Sequence, residues 1–137
     1  MWTRSDFSTW TKVSIRYRDL DPNGHVNNGS INQFFEDGRV HFREERMGHL
    51  GKEILTGFAV VHFDADYHAP LSYPGKVDVG TVVINVGTTS YGLGQGIFQE
   101  ARCISTAKVI SVYFDPVTGS KKALPSDLRE ALSGASL

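Results

Sequence analysis

The chain has little cysteine and no long apolar run. Its 137 residues include a single cysteine, Cys103. One cysteine cannot form an internal disulfide or a thiolate metal cluster, and within a predicted strand we expect it to pack as a small buried hydrophobic residue. No segment approaches the roughly 20 apolar residues of a membrane span, and the first residues lack the apolar core of a secretory signal. We therefore expect a cytoplasmic protein without a membrane partner.

The sequence also lacks an excess of either charge. It carries 14 Lys and Arg against 15 Asp and Glu, which gives a formal net charge of −1. Proteins that neutralise nucleic-acid phosphates usually carry a basic patch, so we expect no nucleic-acid partner. Hydrophobic residues make up 40% of the chain. The length predicts one domain over residues 1–137, large enough to bury its own core.

The most informative segment is a polar loop between a strand pattern and a helix pattern. Residues alternate over 11–18, which predicts a half-buried strand whose inward face is Thr11, Val13, Ile15 and Tyr17. Asp-Pro-Asn-Gly at 21–24 then forms a turn. The loop holds Asp19, Asp21 and His25 just before the helix pattern. Because a helix N-terminus stabilises negative charge, a carboxylate here predicts an acyl-transfer site.

A long helix and four further strands follow the loop. Over 28–47, one helical face is formed by Ile31, Phe34, Phe35, Gly38 and Phe42. Asn27 or Asn28 can cap this helix, and Gly38 fits its middle if a sheet packs closely there. Strands are predicted near 57–69, 76–87, 91–101 and 103–114, with a short helix at 125–132. This order predicts an α+β fold with an antiparallel sheet packed on the helix.

The loop resembles that of the hotdog-fold acyl-CoA thioesterases of the 4-hydroxybenzoyl-CoA thioesterase type. The pattern Asp-x-Asp-x-x-Gly-His-Val-Asn-Asn falls on residues 19–28, and Glu-x-x-Arg follows at Glu36 and Arg39. Weaker matches are Tyr-x-x-Pro-Leu at 67–71 and Ser-Tyr at 90–91. The resemblance implies a five-stranded antiparallel sheet wrapped around one long central helix. It also implies a homodimer or homotetramer with sites at the subunit interface.

The resemblance further implies roles for individual residues. Asp21 falls on the catalytic carboxylate, acting as nucleophile or general base, and the Asn28 amide falls on the group that polarises the thioester carbonyl. His25 would act in the chemistry or position the loop. Substrate contacts are expected at Asn27, Ile31, Glu36, Tyr67 and Ser90, the last from a neighbouring subunit. The family commonly has Tyr where this chain has Ile31, so the acyl preference stays open.

Several residues have simpler interpretations. Asp19 is expected to bind loop amides, and Glu36 and Arg39, three apart, can form an ion pair on the helix. The alternating His62, Asp64, Asp66 and His68 are too far apart on a strand to hold one metal, so no metal site is expected.

The predicted function is hydrolysis of an acyl-CoA or acyl carrier protein thioester, with no cofactor other than CoA as part of the substrate. Two alternatives stay open: a non-catalytic acyl-thioester binding module and a hotdog enoyl-CoA hydratase.

Overall fold

Five antiparallel strands and one long helix make up the fold in the computed structural model, which describes residues 2–137. The strands are β1 (Thr9–Ser14), β2 (Phe58–Tyr67), β3 (Lys76–Val86), β4 (Ser90–Gln99) and β5 (Arg102–Tyr113). The helices are α1 (Asn28–Met47), α2 (Lys52–Thr56) and α3 (Ser126–Ser133). The sheet order is β1-β3-β4-β5-β2, and every neighbouring pair is antiparallel. The predicted hotdog architecture is confirmed.

Helix α1 packs its apolar face against the inner face of the sheet. Ile31, Phe34, Phe35 and Phe42 are all buried, as the 3.6-residue spacing predicted. Gly38 lies on the same face, and a Cβ atom there would come 2.6 Å from Val79 Cγ1. The close approach of helix and sheet therefore requires glycine at this point.

The predicted strand over 11–18 is wrong at its C-terminal end. β1 stops at Ser14, and Tyr17–Asp19 form a 3-10 turn. The carboxylate of Asp19 accepts a hydrogen bond from the Arg16 amide at 2.7 Å, and the Asp19 amide donates to the Arg16 carbonyl at 2.9 Å. These local bonds replace the pairing that would continue the strand. Tyr17, predicted to face inward, is 75% exposed.

The outer face of the sheet carries a smaller aromatic cluster. The ring of Phe7 lies directly over Gly80 and Gly96, and the ring of Trp2 lies over Gly94. These glycines of β3 and β4 therefore make room for the N-terminal segment. Cys103 packs beside this cluster and is only half-buried, which corrects the expectation of full burial. Within residues 2–137, none of the helices combines the length and hydropathy needed to cross a membrane.

Candidate active site

The loop before α1 is anchored by the buried carboxylate of Asp19. This side chain is 1% exposed and accepts hydrogen bonds from the guanidinium of Arg16 at 2.9 Å and from Ser30 Oγ at 3.1 Å. Burial opposes its ionisation, but the hydrogen bonds from Arg16 and Ser30 outweigh burial and lower the pKa of Asp19. Its carbonyl also accepts from the Asn27 amide at 2.9 Å. Asp19 is therefore structural, as predicted, but its carboxylate binds Arg16 and Ser30 instead of the amides of the loop.

Asp21 closes the turn that follows. Its Oδ1 accepts from the amides of Asn23 at 2.8 Å and His25 at 3.2 Å, while its own amide donates to the His25 carbonyl at 2.8 Å. Gly24 completes the turn with a φ of 81°, a conformation that favours glycine. Within the described chain, Oδ2 of Asp21 has no hydrogen-bond partner. One carboxylate oxygen is therefore fixed, and the other is available for chemistry.

The N-terminus of α1, which follows this loop in the chain, presents free amides. Asn27 is the cap, because its Oδ1 accepts from the Ser30 amide at 2.7 Å. The amides of Asn28 and Gly29 donate to no acceptor within residues 2–137. The first amides of a helix carry partial positive charge, which suits them to stabilise an oxyanion.

Five of the predicted site residues line one cavity of about 320 Å³. They are Asp21, His25, Asn28, Ile31 and Tyr67, and the remaining wall is formed by Val26, His68, Ala69 and Pro70. This volume is at the small end of the range for ligand pockets. We call it the loop cavity.

A second cavity, of about 240 Å³, lies further along α1 and is lined by Gly29, Asn32, Gln33, Glu36, Arg39 and Phe63. We call it the helix cavity. The Tyr67 hydroxyl, from the loop cavity, donates a 2.6 Å hydrogen bond to Asn32 Oδ1, in the helix cavity. The two cavities are therefore neighbours, separated by this side-chain pair.

The predicted ion pair between Glu36 and Arg39 is wrong for the described residues. Glu36 accepts from Gln33 at 3.0 Å, and Arg39 donates to Gln95 Oε1 at 3.1 Å. Arg39 turns inward because a buried glutamine on β4 faces it from the sheet, whereas Glu36 stays exposed.

Ser90 does not reach either cavity within one chain. On β5, Tyr67 pairs with Ser105 and Ser90 pairs with Val112. This offset of seven residues places Ser90 and Tyr67 about 24 Å apart along the strand direction. A contact from Ser90 therefore stays a prediction about a second subunit.

Two residues next to the site, Asn32 and His68, were not predicted from the sequence. Asn32 lies four residues after Asn28, on the same face of α1, so helical spacing could have found it. The His68 ring contacts Thr106 Oγ1 at 2.8 Å, a contact between neighbouring strands that no local motif indicates.

A five-stranded antiparallel sheet wraps one long helix, and an acidic loop lies before the N-terminus of that helix. This arrangement is the one expected of the hotdog-fold thioesterases. Residues 15–132 match the Thioesterase-like superfamily, and the chain belongs to this family. The predicted resemblance is therefore confirmed. No curated protein matches the chain.

Solved structures of similar proteins agree with this assignment. A protein of Pseudomonas aeruginosa is 26% identical, with a TM-score of 0.85 over 98% of this chain and 95% of that one. A thioesterase of Thermus thermophilus, complexed with coenzyme A and Zn, is 25% identical, with a TM-score of 0.83 over 95% of each chain. The DHNA-CoA thioesterase of Staphylococcus aureus is 21% identical and shares the fold, with a TM-score of 0.80 over 92% of this chain and 89% of that one.

Proposed function

We propose that this thioesterase hydrolyses an acyl-CoA to the free acid and coenzyme A, with the carboxylate of Asp21 as the catalytic group. One observation carries the proposal: the free oxygen of Asp21 and the free amide of Asn28 belong to residues that line the same cavity. The coenzyme-A complex of the Thermus thermophilus relative supports CoA as the leaving group.

The reaction consumes one water. Asp21 either takes a proton from a water that attacks the acyl carbon or attacks that carbon itself to give a mixed anhydride. In both routes the carbonyl oxygen becomes negative, and the Asn28 amide stabilises it. The carbon–sulfur bond then breaks, and the thiolate of CoA takes up a proton. In the second route, water finally cleaves the anhydride and restores Asp21.

The other residues of the loop cavity position these groups. His25 holds Asp21 because its amide donates to Asp21 Oδ1 and its carbonyl accepts from the Asp21 amide, and the residue forms part of the cavity wall. Asn27 acts indirectly, by capping the helix that presents the Asn28 amide. Ile31 and Tyr67 contact the acyl group beside the carbonyl.

We further propose that two copies pair through β2. Within residues 2–137 this strand of ten residues has β5 as its one neighbour, and Val60 and Val61 on it are 45% and 61% exposed. An unpaired strand edge with exposed valines favours pairing with another strand. In an antiparallel pair of identical strands the ends exchange places. The end that carries Ser90 in one copy then lies towards the Tyr67 end of the other.

No resident metal or redox cofactor is part of this proposal. Among residues 2–137, no group of three or more His, Cys, Asp or Glu side chains is arranged to hold a metal ion. Dialysis against EDTA is expected to leave the turnover rate unchanged. A loss of activity that Zn²⁺ restores would contradict this part of the proposal.

The central experiment measures thiol release from acyl-CoAs of several chain lengths by native protein, Asp21→Asn and the control Asp127→Asn. Asp127 is an exposed carboxylate on α3, outside both cavities and away from β2. We expect Asp21→Asn to lose about 10²–10⁴-fold in kcat, with acyl-CoA binding retained and the control near native. Unimpaired turnover by Asp21→Asn would refute the role of Asp21. Tight binding without turnover by native protein would favour the binding-module alternative, and hydration of an enoyl-CoA without thiol release would favour a hydratase.

A pre-steady-state measurement separates the two routes. An initial burst of thiol, matched by a protein adduct of the acyl mass, is the signature of direct attack by Asp21. Linear thiol release without an adduct indicates attack by water.

A further inference from the structure

Arg39 is a buried cation that has no carboxylate partner among the described residues. It is 8% exposed, and within residues 2–137 no acidic side chain lies within ion-pair distance of its guanidinium. Its one hydrogen bond goes to the neutral Oε1 of Gln95 at 3.1 Å, and the guanidinium lies 5.5 Å from the ring centre of Phe63. Burial is the main cause that lowers the pKa of Arg39.

Such an arrangement is costly unless something else meets the charge. Arginine is rarely buried without an anionic partner, and a guanidinium carries five N–H donors, of which Gln95 uses one. Gln95 is itself fully occupied, because its amide nitrogen donates to the Phe35 carbonyl and to Thr81 Oγ1, both at 3.0 Å. Gln95 thus holds Arg39 in place and leaves its other donors at the wall of the helix cavity.

The helix cavity adjoins the proposed reaction centre. Gly29 and Asn32 line it, and their helix neighbours Asn28 and Ile31 line the loop cavity. Arg39 lies eleven residues after Asn28, about 16 Å along the helix axis. Because helical side chains point back towards the N-terminus, the guanidinium of Arg39 lies less than 16 Å along the axis from the Asn28 amide, where the thioester carbonyl would bind. An acyl chain that starts beside Asn28 can therefore extend past the Tyr67–Asn32 pair towards Arg39.

We propose that the helix cavity binds the far end of the acyl group, and that Arg39 selects acyl groups ending in a carboxylate. A carboxylate matches the planar guanidinium with paired, charge-assisted hydrogen bonds. The side chains of Asn32 and Gln33 make the wall polar, which suits a charged end better than an alkyl end. This inference rests on the proposed thioesterase activity.

In the part of the chain that the structure describes, Glu36 is the one acidic residue that lines the helix cavity. Burial lowers the pKa of Arg39, and the charge of Glu36 acts to raise it without an ion pair. Glu36 is exposed and hydrogen-bonded to Gln33, whereas Arg39 lies in the buried part of the wall. A carboxylate bound at Arg39 would therefore contact the guanidinium directly, while the charge of Glu36 in the same cavity would repel it. Glu36 should weaken binding of the acid, and its removal should strengthen it.

The test compares kcat/KM for pairs of substrates of equal length, such as suberyl-CoA with octanoyl-CoA and adipyl-CoA with hexanoyl-CoA. The variants are Arg39→Gln, Arg39→Lys and Glu36→Gln, with Glu44→Gln on the exposed face of α1 as the matched control. We expect native protein to prefer the carboxylate-ended member of at least one pair. Arg39→Gln should reduce that preference about 10–100-fold, Arg39→Lys should retain part of it, Glu36→Gln should increase it, and Glu44→Gln should leave it unchanged.

The inference would be overturned if native protein preferred the alkyl-ended substrates, or if the ratio of kcat/KM between the two substrates of a pair did not change in Arg39→Gln.

Light scattering on the same samples measures the oligomeric state, because a second copy of the chain could instead be the partner of Arg39. If Arg39→Gln dissociates the assembly while the ratio stays constant, a second copy of the chain meets Arg39, and the inference is also wrong. If Arg39→Gln does not fold, Arg39→Lys and Glu36→Gln test the inference. Arg39→Lys should lower the preference for the carboxylate-ended substrate and Glu36→Gln should raise it. Hydrolysis of alkyl acyl-CoAs throughout would leave the proposed function intact.

Discussion

Replacement of Gly38 by alanine tests how closely α1 packs on the sheet. The new Cβ would lie 2.6 Å from Val79 Cγ1 and 3.0 Å from Gln95 Nε2. Val79 is fully buried in β3, so it cannot move aside into solvent. Overpacking of this kind costs about 1–3 kcal/mol, whereas alanine gains about 1 kcal/mol over glycine inside a helix. We therefore expect a net loss of up to about 2 kcal/mol in the free energy of unfolding.

Gly48 provides the matched control. It lies just after α1 with a φ of −59°, and a Cβ atom there has no neighbour within 4 Å. Gly48→Ala should therefore stabilise the protein by about 0.4–1 kcal/mol.

Urea unfolding at one protein concentration measures both variants. A loss of about 1 kcal/mol lowers the midpoint by roughly 0.3–1 M for ordinary m-values. If Gly38→Ala were as stable as Gly48→Ala, the argument that the sheet demands glycine here would be wrong.

Three further predictions concern stability. Asp19→Asn should destabilise the protein at pH 7. Because the folded pKa of Asp19 is below its ordinary value of 3.8, the difference in free energy of unfolding between native and variant should shrink as pH falls below about 4. Urea titrations at several pH values measure this difference, and a constant difference would contradict the prediction. Thr11→Val should be neutral or stabilising in thermal unfolding, since the buried Thr11 hydroxyl has no hydrogen-bond partner in the described chain; a loss above about 1 kcal/mol would show a missing partner. Asn27→Ala should cost about 1 kcal/mol by removing the cap of α1, with the exposed Asn23→Ala as a comparison; equal losses would deny the capping role.

Much of the fold was predictable because its signals are local. The apolar spacing from Ile31 to Phe42 follows helical geometry, and turn residues mark the breaks before β3 and β4. The break between β4 and β5 has no such residues, yet α1 and β2 to β5 all lie close to where the sequence predicted them. The end of β1 was not predictable by alternation alone. Residues 15–18 alternate like a strand, but the Asp19 carboxylate binds the Arg16 amide and turns the chain.

The candidate site was predicted in part for the same reason. Asp21, His25 and Asn28 lie within one motif and Ile31 follows three residues after it, so these four are close in the chain. The structure places Tyr67, from β2, at the same cavity. The predicted pairing of Glu36 with Arg39 was wrong because the spacing along the helix does not show which sheet residue lies opposite Arg39, here Gln95.

The sequence by itself determined the turn at 21–24 and the apolar face of α1, and it narrowed the cap of α1 to Asn27 or Asn28. Turn propensity, capping and helical period depend on neighbours within a few residues. Only the tertiary structure decided which side chains share a cavity. The inward turn of Arg39 depends on Gln95, 56 residues away, and the link between the cavities depends on Tyr67 and Asn32, 35 residues apart. Contacts of this kind are set by strand order and register, which no local pattern encodes.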